Sequence, residues 1–270
     1  MRTRILSGAV LTVILLIAVF TGRYGMFVLA LAASSIGLYE MYHVVNIHRS
    51  ALGIVGYVLC AVYYALTWFD AMQYIYPFMV SSGLIFMFVY VLSYSHKSAE
   101  QAGFGLLGLY YVAIPFSFLY RIRTLDDGIC FVALLIFSTW IADVFAYFVG
   151  SAIGKHKLAP KLSPHKSIEG AVGGVLASTV IGTVFGAIYG TINGKERLWL
   201  LFGIMCLFGS IISIFGDLSA SAIKRHYNVK DYGKIIPGHG GVMDRFDSMT
   251  FVAPTLYFFA VSLYPLIMAI

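Results

Sequence analysis

The fold class this sequence predicts is all-α, a polytopic transmembrane helical bundle, and three observations point to it. Hydrophobic residues fill 60% of the 270 positions, charged residues only 11%, and the mean hydropathy is +0.87. A soluble domain is about half apolar and a quarter charged. Water is the wrong solvent for this chain, whereas a bilayer solvates apolar side chains without requiring a core to hide them.

A helix needs roughly 20 mainly apolar residues to cross the hydrocarbon layer, and backbone groups cannot stay unpaired in lipid. On that basis nine spans are expected. The first, near 5–21, follows Arg2 and Arg4 with no small-residue cleavage site behind it, so it is expected to stay as a helix and not to be removed as a signal peptide. The second, 25–42, contains Glu40, while 51–69, 74–94 and 103–120 are nearly free of ionisable groups. The sixth, 129–152, carries Asp143. The seventh, 170–190, has a small-residue face of Gly170, Gly173, Gly174, Gly182, Gly186 and Gly190, which reads as close helix packing. The eighth, 198–220, includes Asp217, and 249–270 closes the chain. Residues 1–128 are expected to form an N-terminal region of about five helices, and 129–270 a C-terminal region of helices 6 to 9 with their loops, the region in which the chemistry argued below would lie. Cys60, Cys130 and Cys206 all lie within apolar runs and form neither a metal pattern nor a disulfide framework.

Orientation follows from Lys and Arg. With nine spans, the side holding the N-terminus keeps all but Arg23, Arg121, Arg123, Lys195 and Arg197 of the 18 basic residues. The positive-inside rule puts that side in the cytoplasm and the C-terminus outside. The same placement accounts for the net charge of +6 through topology and anionic lipid, not nucleic acid.

Charge concentrates in 155–169 and 217–247, so function is expected there. The run SAIKRHYNVKDYGKIIPGHGGVMDRFD from Ser221 combines cations, carboxylates and flexible backbone. Lys224, Arg225, Lys230, Lys234 and Arg245 are candidates for phosphate oxygens, with a lipid-headgroup patch as the plainer reading. Asp217 sits near the end of an apolar run, where an unpaired charge costs several kcal/mol. On a helix it shares one face with Ser221 and Lys224. Asp244 and Asp247 are spaced by three, so helical geometry would present both to one site, and paired carboxylates suit Mg²⁺ shared with substrate phosphate. Helix capping with a salt bridge to Arg245 is the structural alternative. The glycines around His239 let successive amides form an anion-binding nest. Asp143 is costly within its span without function. Lys155, Lys157, Lys161, His165 and Lys166 join the same face, Ser167 and Glu169 could cap the next helix, and Glu40 could line a cavity or pair with Arg49 or His43.

These residues resemble the signature of the phosphatidate cytidylyltransferase (CDP-diacylglycerol synthase) family. Ser221, Lys224, Arg225, Lys230, Asp231, Gly233, Pro237, His239, Gly240, Gly241, Asp244, Arg245 and Asp247 occupy its places, and the likeness extends to Asp143–Tyr147, SPHKSIEG and GDLSAS. One departure is His165, where the family more usually has Lys. The resemblance implies transfer of CMP from CTP to phosphatidic acid, giving CDP-diacylglycerol and pyrophosphate. It implies a homodimer in the cell membrane with its active site facing the cytoplasm. It further implies that Asp143, Asp217, Asp244 and Asp247 hold Mg²⁺, with K⁺ as a candidate second ion. Asp217, Lys224, Asp244 and Asp247 would be catalytic, and Lys166, Ser221, Arg225, Lys230, Gly240, Gly241 and Arg245 would bind phosphate. His239 would either donate to phosphate or order the glycine turn. The alternatives are a CTP-dependent lipid or polyprenol kinase, which would move the γ-phosphate, and an ion-coupled transporter, which would not need the dense basic and glycine segment.

Overall fold

The computed structural model describes the backbone of residues 2–269 and the side chains of residues 6–267. The charges of Arg2 and Arg4, assigned above to the cytoplasmic side, lie outside the described side chains, as does Ile270. Among the described residues, eight helices are long and apolar enough to cross a membrane. They are α2 (Arg23–Val44), α3 (Ala51–Trp68), α4 (Met72–Leu92), α5 (Ala99–Arg123), α6 (Gly128–Ile153), α7 (Ile168–Asn193), α8 (Leu198–His226) and α10 (Met249–Ala269). The chain is thus a multi-pass helical protein. The first expected span is also a helix, α1 (Arg2–Phe20), but its apolar part within the described side chains, Leu6–Phe20, falls short of a full crossing.

Local signals set the boundaries. Helix α5 starts at Ala99, earlier than hydropathy suggests, because Ser98 and Gln101 form a reciprocal capping box. Helix α7 starts at Ile168 because Ser167 Oγ accepts the Gly170 amide at 3.1 Å. Helix α8 runs past residue 220 to His226, so Asp217, Ser221 and Lys224 lie on one continuous helix. Two features that hydropathy does not reveal are an antiparallel hairpin, β1 (Lys157–Ala159) with β2 (Ser163–Ser167), and a one-turn helix, α9 (Met243–Phe246).

The chain forms two compact units. The first comprises residues 1–120 and 226–246, so the signature segment after α8 folds with the N-terminal helices. Its core is rich in tyrosine, and several of the buried hydroxyls find partners there, as a site without water favours. Tyr42 donates to Gly105 O at 2.7 Å, Tyr64 to Ala30 O at 2.9 Å, and Tyr63 pairs with Ser117 at 2.9 Å. Within this unit α9 packs on α2, and Phe246 meets Phe116 edge to face.

The second unit comprises residues 121–225 and 247–270: α6, the hairpin, α7, α8 and α10. The glycine face of α7 is used up inside it. A Cβ at Gly170 or Gly174 would strike the carbonyls of Ala146 or Ala142 on α6, and one at Gly186 the Leu198 carbonyl at the start of α8. Close packing is therefore what these glycines permit. At the end of this unit remote from the hairpin, buried Asp127 accepts from Lys195 at 2.7 Å, Tyr189 at 2.9 Å and Tyr264 at 2.6 Å, tying together the starts or ends of α6, α7 and α10.

Candidate active site

In the second unit, three carboxylates come from three elements. Asp143 follows a π-helical turn in α6 (Phe137–Ile141), Asp217 lies on α8, and Asp247 occupies the turn that opens α10. Gly216 brings the last two together, because a Cβ there would press on the backbone of Asp247 and Ser248. Asp247 is only 8% exposed, and its Oδ1 accepts the Ser248 amide at 2.7 Å. Burial, followed by repulsion from Asp217, pushes its carboxyl up to about 7; Lys224 and the Ser248 amide oppose the rise, and Asp143 adds to it. The surplus of negative charge is partly met by the hairpin, whose Lys166 reaches Asp217 at 2.8 Å.

Asp143, Lys166 and Asp217 line a cavity of about 450 Å³ whose remaining wall is mostly small and apolar, including Ala142, Ala146, Gly170 and Gly174. Polar at one part and apolar over the rest, it suits an amphiphile. His165 lines it too, while Arg225 lies over the hairpin with Nε 3.4 Å from Leu162 O. Ser167 caps α7 as expected, and Glu169 in the same first turn also bonds to His156 at 2.7 Å.

In the first unit, the glycine turn is built by its own residues. Gly238 and Gly240 adopt φ values of 77° and 86°, open to glycine without strain. Ile236 N donates to Gly240 O at 2.8 Å, and Arg245 Nε to His239 O at 2.8 Å. His239 Nδ1 lies 2.6 Å from Ser7 Oγ, which also reaches Pro237 O at 3.1 Å. That contact engages His239 in ordering the turn. Asp244 Oδ2 accepts both Tyr232 N at 2.8 Å and Gly241 N at 3.0 Å. The amides of Val242 and Met243 go to Glu40, at 3.0 and 2.9 Å.

Of the glycine run expected to form an anion nest, the Gly241 amide is taken by Asp244, and the next two amides, those of Val242 and Met243, by Glu40. Asp244 lies within α9, which ends at Phe246, and Asp247 lies in the turn beyond it. Among the described residues, no group of three or more His, Cys, Asp or Glu gathers tightly enough to hold a metal ion by itself.

Lys230 and Lys234, with Asp231, line a second cavity of about 510 Å³ in the first unit, along with Tyr39, Glu40 and His43. Glu40 is the residue whose importance sequence reasoning left open. Its burial in a span was the signal. Its partners, backbone amides some two hundred positions later, had none.

Residues 2–263 match the model of the cytidylyltransferase family. The chain is 34% identical over 271 residues to a phosphatidate cytidylyltransferase of Bacillus subtilis (strain 168), covering 96% of this chain and 97% of that protein. It is 32% identical over 266 residues to the phosphatidate cytidylyltransferase of Staphylococcus aureus (strain COL), covering 95% and 97%. A phosphatidate cytidylyltransferase of Staphylococcus saprophyticus is 33% identical over 207 residues, 77% of this chain and 76% of the relative.

Proposed function

The chain belongs to the cytidylyltransferase family, and we propose that its acid cluster and cationic side chains hold the two anionic reactants of that family's chemistry. The reaction is transfer of CMP from CTP to phosphatidic acid, giving CDP-diacylglycerol and pyrophosphate. The observation that carries the site assignment is Asp247, buried yet facing Asp217, Asp143 and Lys224.

The nucleophile comes with the substrate. A phosphate monoester near neutral pH carries between one and two negative charges, so an oxygen of phosphatidic acid attacks the α-phosphorus of CTP without a serine or a strong base. The new P–O bond forms as the bond from the α-phosphorus to the bridging oxygen breaks, and pyrophosphate departs with that electron pair. The protein has to hold two anions in line and offset their repulsion, which is positioning plus electrostatics. Lys166, Lys224, Arg225, Lys230 and Arg245 supply positive charge for the phosphates, and Ser221 a hydroxyl. The small-residue wall of the 450 Å³ cavity accepts the glycerol and first methylenes of the lipid.

The donor set fits a hard divalent cation. Mg²⁺ takes one or two protein carboxylates and completes its shell with phosphate oxygens and water, so Asp217 and Asp247, with Asp143 nearby, suffice without a closed protein cage. When bound, Mg²⁺ would neutralise phosphate charge and polarise the transferred group. K⁺ as a second ion belongs to the same reading. Asp244 is assigned instead to shaping the turn around Gly241, given its two backbone bonds. The same reading has the active site face the cytoplasm, and the lysines of the hairpin end of the second unit, Lys155, Lys157, Lys161 and Lys166, support it through the positive-inside rule. A homodimer completes the reading, and light scattering of the detergent-solubilised protein tests it.

Label placement tests the reaction. With CTP labelled at the α-phosphate, phosphatidic acid should acquire the label; with γ-labelled CTP, all label should leave as pyrophosphate. Label passing from the γ-position to lipid would make the protein a kinase and refute the assignment.

A further inference from the structure

Glu40 is the one carboxylate of α2, and it is 2% exposed. A charge buried in an apolar helix persists only when its oxygens are satisfied. Here both are, and by adjacent backbone amides: Oε1 accepts Val242 N at 3.0 Å and Oε2 accepts Met243 N at 2.9 Å. These amides open α9, the turn that carries Asp244. The neighbouring glycines are shaped to the same carboxylate. A Cβ at Gly233 or at Gly241 would overlap Glu40 Oε1, so a side chain at either position would push the carboxylate off its amides. Neither of these two glycines has a positive φ, unlike Gly238 and Gly240. Their requirement is space, not backbone freedom.

Two carboxylates thus divide one run of amides. Asp244 holds residues 232 and 241, Glu40 holds 242 and 243, and a residue from the N-terminal half fixes the segment bearing Asp244 and Arg245. We propose that Glu40 is a positioning residue for cytidylyl transfer: its side chain straps the glycine turn and α9 into the conformation in which their polar groups meet substrate phosphate. It touches no substrate itself. The inference rests on the functional reading above only in taking residues 231–247 to act on the phosphates.

Because a turn displaced by about 1 Å can lose about 100-fold in rate, the strap should appear in kcat. Glu40→Gln keeps the side-chain volume but sets an NH₂ against an amide donor, and Glu40→Ala removes both acceptors. Gly241→Ala attacks the same contact from the other side. Each purified variant is compared with wild type for kcat, KM for CTP and phosphatidic acid, unfolding midpoint, and hydrogen exchange of peptides covering 231–247. We expect Glu40→Gln and Gly241→Ala each to lower kcat by about 10–100-fold, the range for outer-shell positioning groups, with KM nearly unchanged. Exchange should speed up in 231–247 alone, at an unaltered unfolding midpoint. The double variant should be scarcely worse than either single one, since both undo one contact. Wild-type kcat, or wild-type exchange at Val242 and Met243, in Glu40→Gln would overturn the proposal. So would a loss of activity that merely follows loss of folded protein, with normal turnover per folded molecule. If wild-type protein makes no CDP-diacylglycerol, the functional reading fails instead, and the exchange data still judge the strap.

Discussion

Asp247 illustrates how much one side chain's surroundings decide. Buried against Asp217, it holds its proton up to about pH 7, so between the ordinary carboxylate range and pH 7 the folded protein binds more protons than the unfolded chain. By linkage, cation-free stability should then fall as pH rises through that window. Asp247→Asn should raise the unfolding midpoint of the cation-free protein at pH 8. Mg²⁺ should stabilise wild type more at pH 8 than at pH 5.5, and should lose that effect in the variant; thermal unfolding in detergent measures both. Equal stabilisation at the two pH values would contradict the site. The carboxylates and cations of this cluster were legible from the sequence because ionisable groups are rare in an apolar chain. The tasks of Asp244 and Glu40 were not legible, since both bond to backbone amides and an amide leaves no residue-specific mark.

Among the elements, α7 depends most on small residues. Gly170→Leu would drive a side chain into the Ala146 carbonyl, and overpacking of this kind typically costs about 1–3 kcal/mol. Lower yield and a lower unfolding midpoint are expected, while Val172→Leu, on the exposed face of the same helix, should be neutral. The latch at the other end of that unit behaves differently. Burial works to raise the Asp127 pKa, but Lys195 and two tyrosine hydroxyls overcome it, so the carboxyl stays below its usual range; the Asp127 hydrogen bond raises Lys195. The stabilisation is therefore present above the ordinary carboxylate range and lost as pH falls through the depressed value. It is also lost as pH rises through the elevated lysine value. Asp127→Asn should cost roughly 2 kcal/mol, the scale of hydrogen bonds to a charged group, without changing kcat. Hydropathy located these helices well. It could not reveal the hairpin or α9, which are too short for a periodic pattern and form through tertiary contacts.

For the whole molecule, the notable point is how the sequence is shared out. The segment 226–246 belongs to the unit built from the N-terminal helices, while Asp247 begins the final element of the other unit. A reading along the chain groups Asp244 with Asp247 because they are three apart. In the fold Asp244 accepts two backbone amides of its own turn, and Asp247 lies with Asp217 and Asp143. The N-terminal half, which the sequence showed only as apolar, thereby contributes Glu40 and Ser7 to the signature segment.

The central claim is that Asp217 and Asp247 gather divalent cation to bring two phosphorylated reactants together, and turnover against free Mg²⁺ tests it most directly. Purified wild type, stripped by exhaustive chelation, should be inactive with CTP and phosphatidic acid and should recover on adding Mg²⁺. Asp217→Asn and Asp247→Asn, folded to the same extent, should each lose most activity and need more Mg²⁺ for what remains. Full turnover after chelation, or wild-type Mg²⁺ dependence in both variants, would contradict the account.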